Sequence, residues 1–142
     1  MCSPSSSLHN GYGNIIVGKH PQLMAFGVNV SLGSDHASSG IVDMAQEMRI
    51  ACCAYKEVRA NPRLMPPETG LEMATINAAK ALGLDAEIGS LEPGKRADVA
   101  IFDLNKPYVG VLHRPLTSFV TAGKGTDVRA VLVNGKTVYR DG

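Results

Sequence analysis

Asp35 is the side chain that the local sequence best equips for chemistry. It follows Gly27-Val28-Asn29-Val30-Ser31-Leu32-Gly33, an alternating run that reads as a β-strand with Val28, Val30 and Leu32 on one face. Gly33 admits a close neighbour before the chain turns at Ser34-Asp35. A carboxylate at a strand tip, flanked by Ser34 and His36, can hold a cation or take up a proton, and strand tips are where α/β barrels keep their catalytic groups. Asp35 also has a plainer reading as the N-cap of a following helix, shared with Ser38 and Ser39. Taken alone, the local sequence favours the cap.

The remaining reactive side chains form no set. His9, His20, His36 and His113 show neither His-x-His nor His-x-x-x-His spacing, so local geometry pairs none of them on one ion. Zinc takes about four ligands in a closed site, or three and a water in a catalytic one. Cys2 lies beside Ser3-Pro4-Ser5 without a histidine near it in sequence, which argues against a nucleophile. Cys52 and Cys53 sit in a helical pattern and read as small core hydrophobes. Gly123-Lys124-Gly125 misses the phosphate-loop spacing twice, with Ser118 in place of the first glycine and Gly125 in place of the hydroxyl residue.

The elements that must position Asp35 follow from periodicity. Ile41, Met44, Ala45, Met48, Ala51, Cys52, Tyr55 and Val58 recur on one helical face, with Gln46, Glu47, Arg49, Lys56 and Glu57 largely elsewhere. Asn61-Pro62 ends that helix. Pro66-Pro67 opens a second at its first turn, and Gly83 is its C-terminal stop. Beyond it, Glu92-Pro93-Gly94-Lys95 is a type II turn signal. Residues 97–104 read as a strand, and Val128–Val133, Asn134-Gly135 and Lys136–Tyr139 as a hairpin. Residues 113–125 form the crossing between these strands, with His113 structural or exposed.

Composition sets bounds on partners. The chain has 142 residues, 44% hydrophobic and 19% charged, with 14 Lys and Arg against 13 Asp and Glu and a formal net charge of +1. Those charges are scattered, so no basic stripe or stacking platform invites nucleic acid. Apolar runs fall well short of the roughly 20 residues of a membrane span, and no signal peptide pattern is present. Three cysteines make no disulfide framework and fit a cytoplasmic location.

Four separated blocks together resemble one family. Gly33-Ser34-Asp35-His36-Ala37-Ser38-Ser39 with Asp43-Met44 and Glu47-Met48-Arg49 is the first, and Glu72 to Gly83 the second. Ile88 to Asp98 and Val131 to Lys136 complete the set. They are similar to the C-terminal part of metal-dependent amidohydrolases, in the branch of chlorohydrolases and of cytosine, guanine, triazine and adenosine-type deaminases. The resemblance implies an α/β fold, with residues 1–87 as the last units of a (β/α)8 barrel and 88–142 as part of a small β-sandwich. A whole barrel takes about 250 residues, so the chain reads as a piece of such an enzyme, with Met1 as an internal methionine.

In that family the metal is held by a His-x-His pair, two further histidines and a strand-end Asp, and the resemblance carries over only the Asp, at Asp35. It implies a divalent ion, zinc or iron, that activates water to expel ammonia, an amine or chloride from a small heterocyclic substrate. Asp35 would bind the metal or its water and act as general base. Pro4-Ser5-Ser6-Ser7 resembles the family's substrate-side Pro-x-Ser-Asn loop, which makes Ser6 the substrate contact and leaves Ser7 in place of Asn. Ser34 and His36 would orient Asp35, His36 replacing a more common Gly. Half a sandwich and a few barrel strands leave edges and faces bare, so a homo-oligomer or a complementing N-terminal fragment is expected. Three readings stand: a fragment of a hydrolase inactive by itself, a non-catalytic oligomerisation or binding module, and one half of a two-chain enzyme.

Overall fold

A computed structural model of the chain describes residues 1–40 and 42–141. Ile41, expected to begin the long helix stripe, lies outside them. Helices come first: α1 (Pro4–Asn10), α2 (His20–Ala25), α3 (His36–Ser39), α4 (Met44–Val58), α5 (Pro67–Ala74) and α6 (Ile76–Leu82). Strand β1 (Val99–Phe102), helix α7 (Pro115–Ala122) and strands β2 (Val128–Val133) and β3 (Lys136–Arg140) follow.

The long helix α4 is the organising element. Asp43 caps it, its Oδ1 accepting from the amides of Ala45 at 2.8 Å and Gln46 at 3.2 Å. Ala45, Met48, Ala51, Cys52 and Tyr55 are buried as the stripe predicts, while Met44 and Val58 at its ends are exposed. This face packs against α5, α7 and α1. Met73 of α5 and Val120 of α7 are fully buried in the same core cluster as Tyr55, each apolar side chain worth about 1.5–3 kcal/mol when removed from water.

Two helices depart from expectation. Residues 1–8 are not a plain loop, because Pro4 at the first helical position starts α1, and Gly11 ends it with φ 66°. The helix expected from Pro67 to Gly83 breaks at Thr75, whose hydroxyl donates to the Leu71 carbonyl at 2.7 Å. Such back-bonding to the preceding turn bends helices. Gly83 closes α6 with φ 71°, as expected.

The run at 27–33 is extended but is not a paired strand. Its one bridge is parallel, Cys2 with Leu32, made by Cys2 N–H donating to Ser31 O at 2.7 Å and Gly33 N–H to Cys2 O at 2.9 Å. Val28 is exposed, whereas Val30, Ser31 and Leu32 are all buried. The reason lies at the end of α2, where Gly27 (φ 80°) and Val28 donate to the carbonyls of Met24 and Leu23 and close that helix.

The sheet is three-stranded and antiparallel in the order β1-β2-β3. Val99 pairs with Leu132, and Val133 with Lys136 across the turn. Asn134 (φ 50°) and Gly135 (φ 76°) are both left-handed, as a two-residue hairpin of this twist requires. β1 is shorter than the expected 97–104 run. The crossing from β1 to β2 contains α7, which returns to the helical layer, and His113 is exposed ahead of it. Among the described residues no helix is long and apolar enough to cross a membrane.

Candidate functional site

Successive serines on α1 hold two carboxylates from different parts of the chain. Ser6 is buried and its Oγ donates to Asp35 Oδ2 at 2.8 Å. Asn10, one turn on, braces it by donating from Nδ2 to the Ser6 carbonyl at 3.0 Å. Ser5 turns the other way. Its amide donates to Glu47 Oε2 at 3.1 Å and its hydroxyl to Glu47 Oε1.

Asp35 is exposed and left-handed, with φ 47° and ψ 51°. That region costs an L-residue about 1–2 kcal/mol, and Asp is among those that tolerate it. The side-chain cap favoured by the local sequence does not form. Asp35 occupies the N-cap position of α3, and its carbonyl accepts from Ser38 and Ser39, but its side chain caps nothing. The left-handed turn instead carries the carboxylate toward α1, where Ser6 fixes it.

Ser34 contributes its carbonyl, which accepts from Ser39 Oγ at 3.0 Å. His36 is exposed at the start of α3. Among the described residues neither makes a hydrogen bond to the Asp35 carboxylate. The structure therefore brings Ser6 and Asp35 together and leaves Ser34 and His36 beside them.

Glu47 was missed as a site residue, because a charge in a mixed helix reads as solvated. It is fully buried. Burial pushes its carboxyl pKa up, against the opposing pull of the two Ser5 hydrogen bonds. The available signal was spacing, since Glu47, Ala51 and Tyr55 stand four residues apart and share a face.

A second buried cluster was also missed. Tyr55 Oη lies 2.7 Å from His20 Nδ1 and 3.7 Å from Cys2 Sγ. Arg59 stacks over the Tyr55 ring at 5.0 Å and donates to the Ile15 carbonyl at 2.9 Å. Burial raises the Tyr55 and Cys2 pKa values and lowers that of His20. These residues clasp the 11–19 loop onto α4, far apart in sequence and invisible to local pattern.

In the Gly123-Lys124-Gly125 loop the Gly123 amide closes α7 on the Phe119 carbonyl at 2.8 Å, and the other two amides face protein carboxylates. Gly125 N–H donates to Asp43 Oδ2 at 3.0 Å and Lys124 N–H to Asp127 Oδ2 at 2.8 Å, so this loop is no phosphate cradle.

A metal needs more than this chain offers. Among the described residues no group of three or more His, Cys, Asp or Glu is disposed to hold an ion. Asp35, exposed and presented by Ser6, suits a single ligand position, and one carboxylate does not make a site.

Comparison with known proteins gives a consistent result. A family described as the amidohydrolase family matches residues 17–138. A 5-methylthioadenosine/S-adenosylhomocysteine deaminase from Moorella thermoacetica is 41% identical over 122 residues, 85% of this chain and 28% of that protein. Its counterpart from Pyrococcus furiosus is 39% identical over 140 residues, 98% of this chain and 32% of that protein. A zinc-bound adenosine deaminase structure from Xanthomonas campestris superposes with a TM-score of 0.90 at 31% identity, covering 97% of this chain and 31% of that one. The chain thus spans under a third of the length of each of these relatives.

Proposed function

Since the chain belongs to the amidohydrolase family, we propose that it is the C-terminal portion of a metal-dependent hydrolase that deaminates a heterocyclic ring. The substrate class is an adenosine-type nucleoside, 5-methylthioadenosine or S-adenosylhomocysteine, as named for the relatives. The supporting observation is the Ser6 to Asp35 hydrogen bond of 2.8 Å at an exposed chain turn. It holds a carboxylate in one orientation with its other oxygen free.

In this reading Asp35 offers one oxygen to a divalent ion, zinc or iron, whose other ligands come from outside this chain. When bound, such an ion supplies a water acidic enough to give hydroxide near neutral pH. The part this chain plays is narrower. Asp35 accepts and holds a proton as a general base, Ser6 orients it by donating to Oδ2, and Asn10 keeps Ser6 in place. Ser6 also borders the substrate, and Ser34 and His36 shape the turn that presents Asp35.

Residues 1–87 form the last units of the barrel and 88–142 a β-sandwich segment, with α7 returning to the helices. The protein acts in the cytoplasm, where Cys2, Cys52 and Cys53 stay as free thiols, and the chain assembles with a complementing N-terminal segment or a second copy. The alternative is a non-catalytic binding module, favoured by the bare apolar side chains Met1, Phe26, Val17 and Ile16, which are 81%, 85%, 70% and 66% exposed.

A chimera decides between them. This chain replaces the segment it matches in the Pyrococcus furiosus protein, where the match takes in 98% of this chain, and ammonia release from 5-methylthioadenosine is followed. The chimera should turn over, and Asp35→Asn should lower kcat by about 100-fold or more, the range of a lost proton-transfer group. A folded chimera that never releases ammonia, or an Asp35→Asn form within threefold of it, would overturn the proposal.

A further inference from the structure

We propose that Glu47 is a positioning residue, which from inside the core anchors the first turn of α1 and thereby fixes the Ser6 hydroxyl on the Asp35 carboxylate. This rests on the reading of Asp35 as the working carboxylate.

The first turn of a helix has amides without intrahelical partners. In α1 Ser3 stands at the N-cap and makes no side-chain capping bond, and Pro4 has no N–H to give. The Ser5 amide is the next orphan donor. It is taken up by Glu47, a side chain 42 residues further along and on another helix. The Ser5 hydroxyl goes to the same carboxylate. Two bonds from one residue to one carboxylate fix both the height and the rotation of α1.

Rotation is what Ser6 needs. Consecutive helical residues point about 100° apart, so with Ser5 held against α4, Ser6 is turned toward the 34–36 segment, where its hydroxyl meets Asp35. A small turn of α1 about its axis would part both contacts together.

The isolation of Glu47 supports a positional role. It is fully buried, and among the described residues no Lys, Arg or His forms an ion pair with it. A buried carboxylate without a cation is costly, and an apolar residue of similar volume would serve the core better. A carboxylate, unlike a hydrophobe, has two acceptors that fit one amide and one hydroxyl.

The test uses the 142-residue chain and the chimera described above. In the chain, Glu47→Ala should speed exchange of the Ser5 amide at least tenfold, and its crystal structure should show Ser6 Oγ beyond hydrogen-bond reach of Asp35. In the chimera the same substitution should lower kcat by roughly 10- to 100-fold, the scale of an ångström-level misplacement, with KM within about twofold. Glu47→Gln, which keeps an acceptor for the amide, should restore most of that kcat.

The deciding readout is a double-substitution cycle, because a merely structural loss would lower kcat equally in any background. With Ser6→Ala already present, Glu47→Ala should change kcat by less than twofold. Losses that multiply in full, or a Ser6 to Asp35 bond intact in Glu47→Ala, would overturn the proposal. If Glu47→Ala does not fold, Ser5→Ala takes its place in both arms, with a smaller kcat loss that also disappears beside Ser6→Ala. If the chimera is inactive, the function proposed above fails, and the exchange and crystal results on the chain still decide this inference.

Discussion

Removal of the Asp43 carboxylate should cost more than the loss of an ordinary helix cap. Asp43 Oδ1 receives the amides of Ala45 and Gln46, and Oδ2 receives the Gly125 amide from 82 residues away. Asp43→Ala removes the cap, worth about 1 kcal/mol. It also leaves the partly buried Gly125 N–H without an acceptor, at about 1–3 kcal/mol. The sum is about 2–4 kcal/mol. Asp43→Asn separates the contributions, since Asn caps as well as Asp does but turns an NH2 toward the Gly125 donor. It should lose only the second part.

Urea unfolding at pH 7.5, followed by far-ultraviolet circular dichroism, reads both variants, with the m-value expected to stay constant. Amide exchange at Gly125 should accelerate in both variants, and exchange at Ala45 only in Asp43→Ala. A loss below about 1 kcal/mol for Asp43→Ala, beneath the sum worked above, would refute this reasoning. Equal losses for the two variants would refute it as well.

Other outcomes follow from the buried titratable groups. Burial lowers the His20 pKa, so the unfolded chain takes up this proton first. Stability should therefore be full above about pH 6.5 and fall as pH drops through the folded value, a trend that His20→Gln should flatten. Glu47 acts in the opposite direction: its raised pKa means the folded chain binds the proton first, so its contribution grows as pH falls and is lost as pH rises through the folded value. Glu47→Gln should remove that dependence in the same titration. Iodoacetamide at pH 8 should label exposed Cys53 in the native chain and spare buried Cys2 and Cys52, burial raising the Cys52 thiol to about 11; peptide mapping checks this, and prompt labelling of Cys52 would contradict it.

Local signals made some of this legible in the sequence. Asn134-Gly135 admits little but a tight hairpin, and β2 and β3 flank it as read. Gly83 ends α6, and the stripe of α4 predicts its buried face from Ala45 to Tyr55. What stayed hidden depends on remote partners. Leu32 bridges Cys2 rather than a neighbouring strand, so alternation over 27–33 overstated a β-strand. Thr75 divides a continuous helical pattern through one hydroxyl. Asp35 sits where a cap belongs and yet turns to Ser6, and Glu47 is buried because Ser5 needs an acceptor. The chemistry of a block can be read from one segment, whereas the contact that aims it cannot.

The single-ligand role of Asp35 can be read from the metal content of the 142-residue chain after exposure to zinc and exhaustive dialysis, measured by mass spectrometry of the elements. With Asp35 the one ligand it is proposed to offer, the chain should retain well under one equivalent, and Asp35→Asn should leave that amount unchanged. One tightly held zinc per chain would contradict the claim that this chain supplies a single member of a metal site completed from elsewhere.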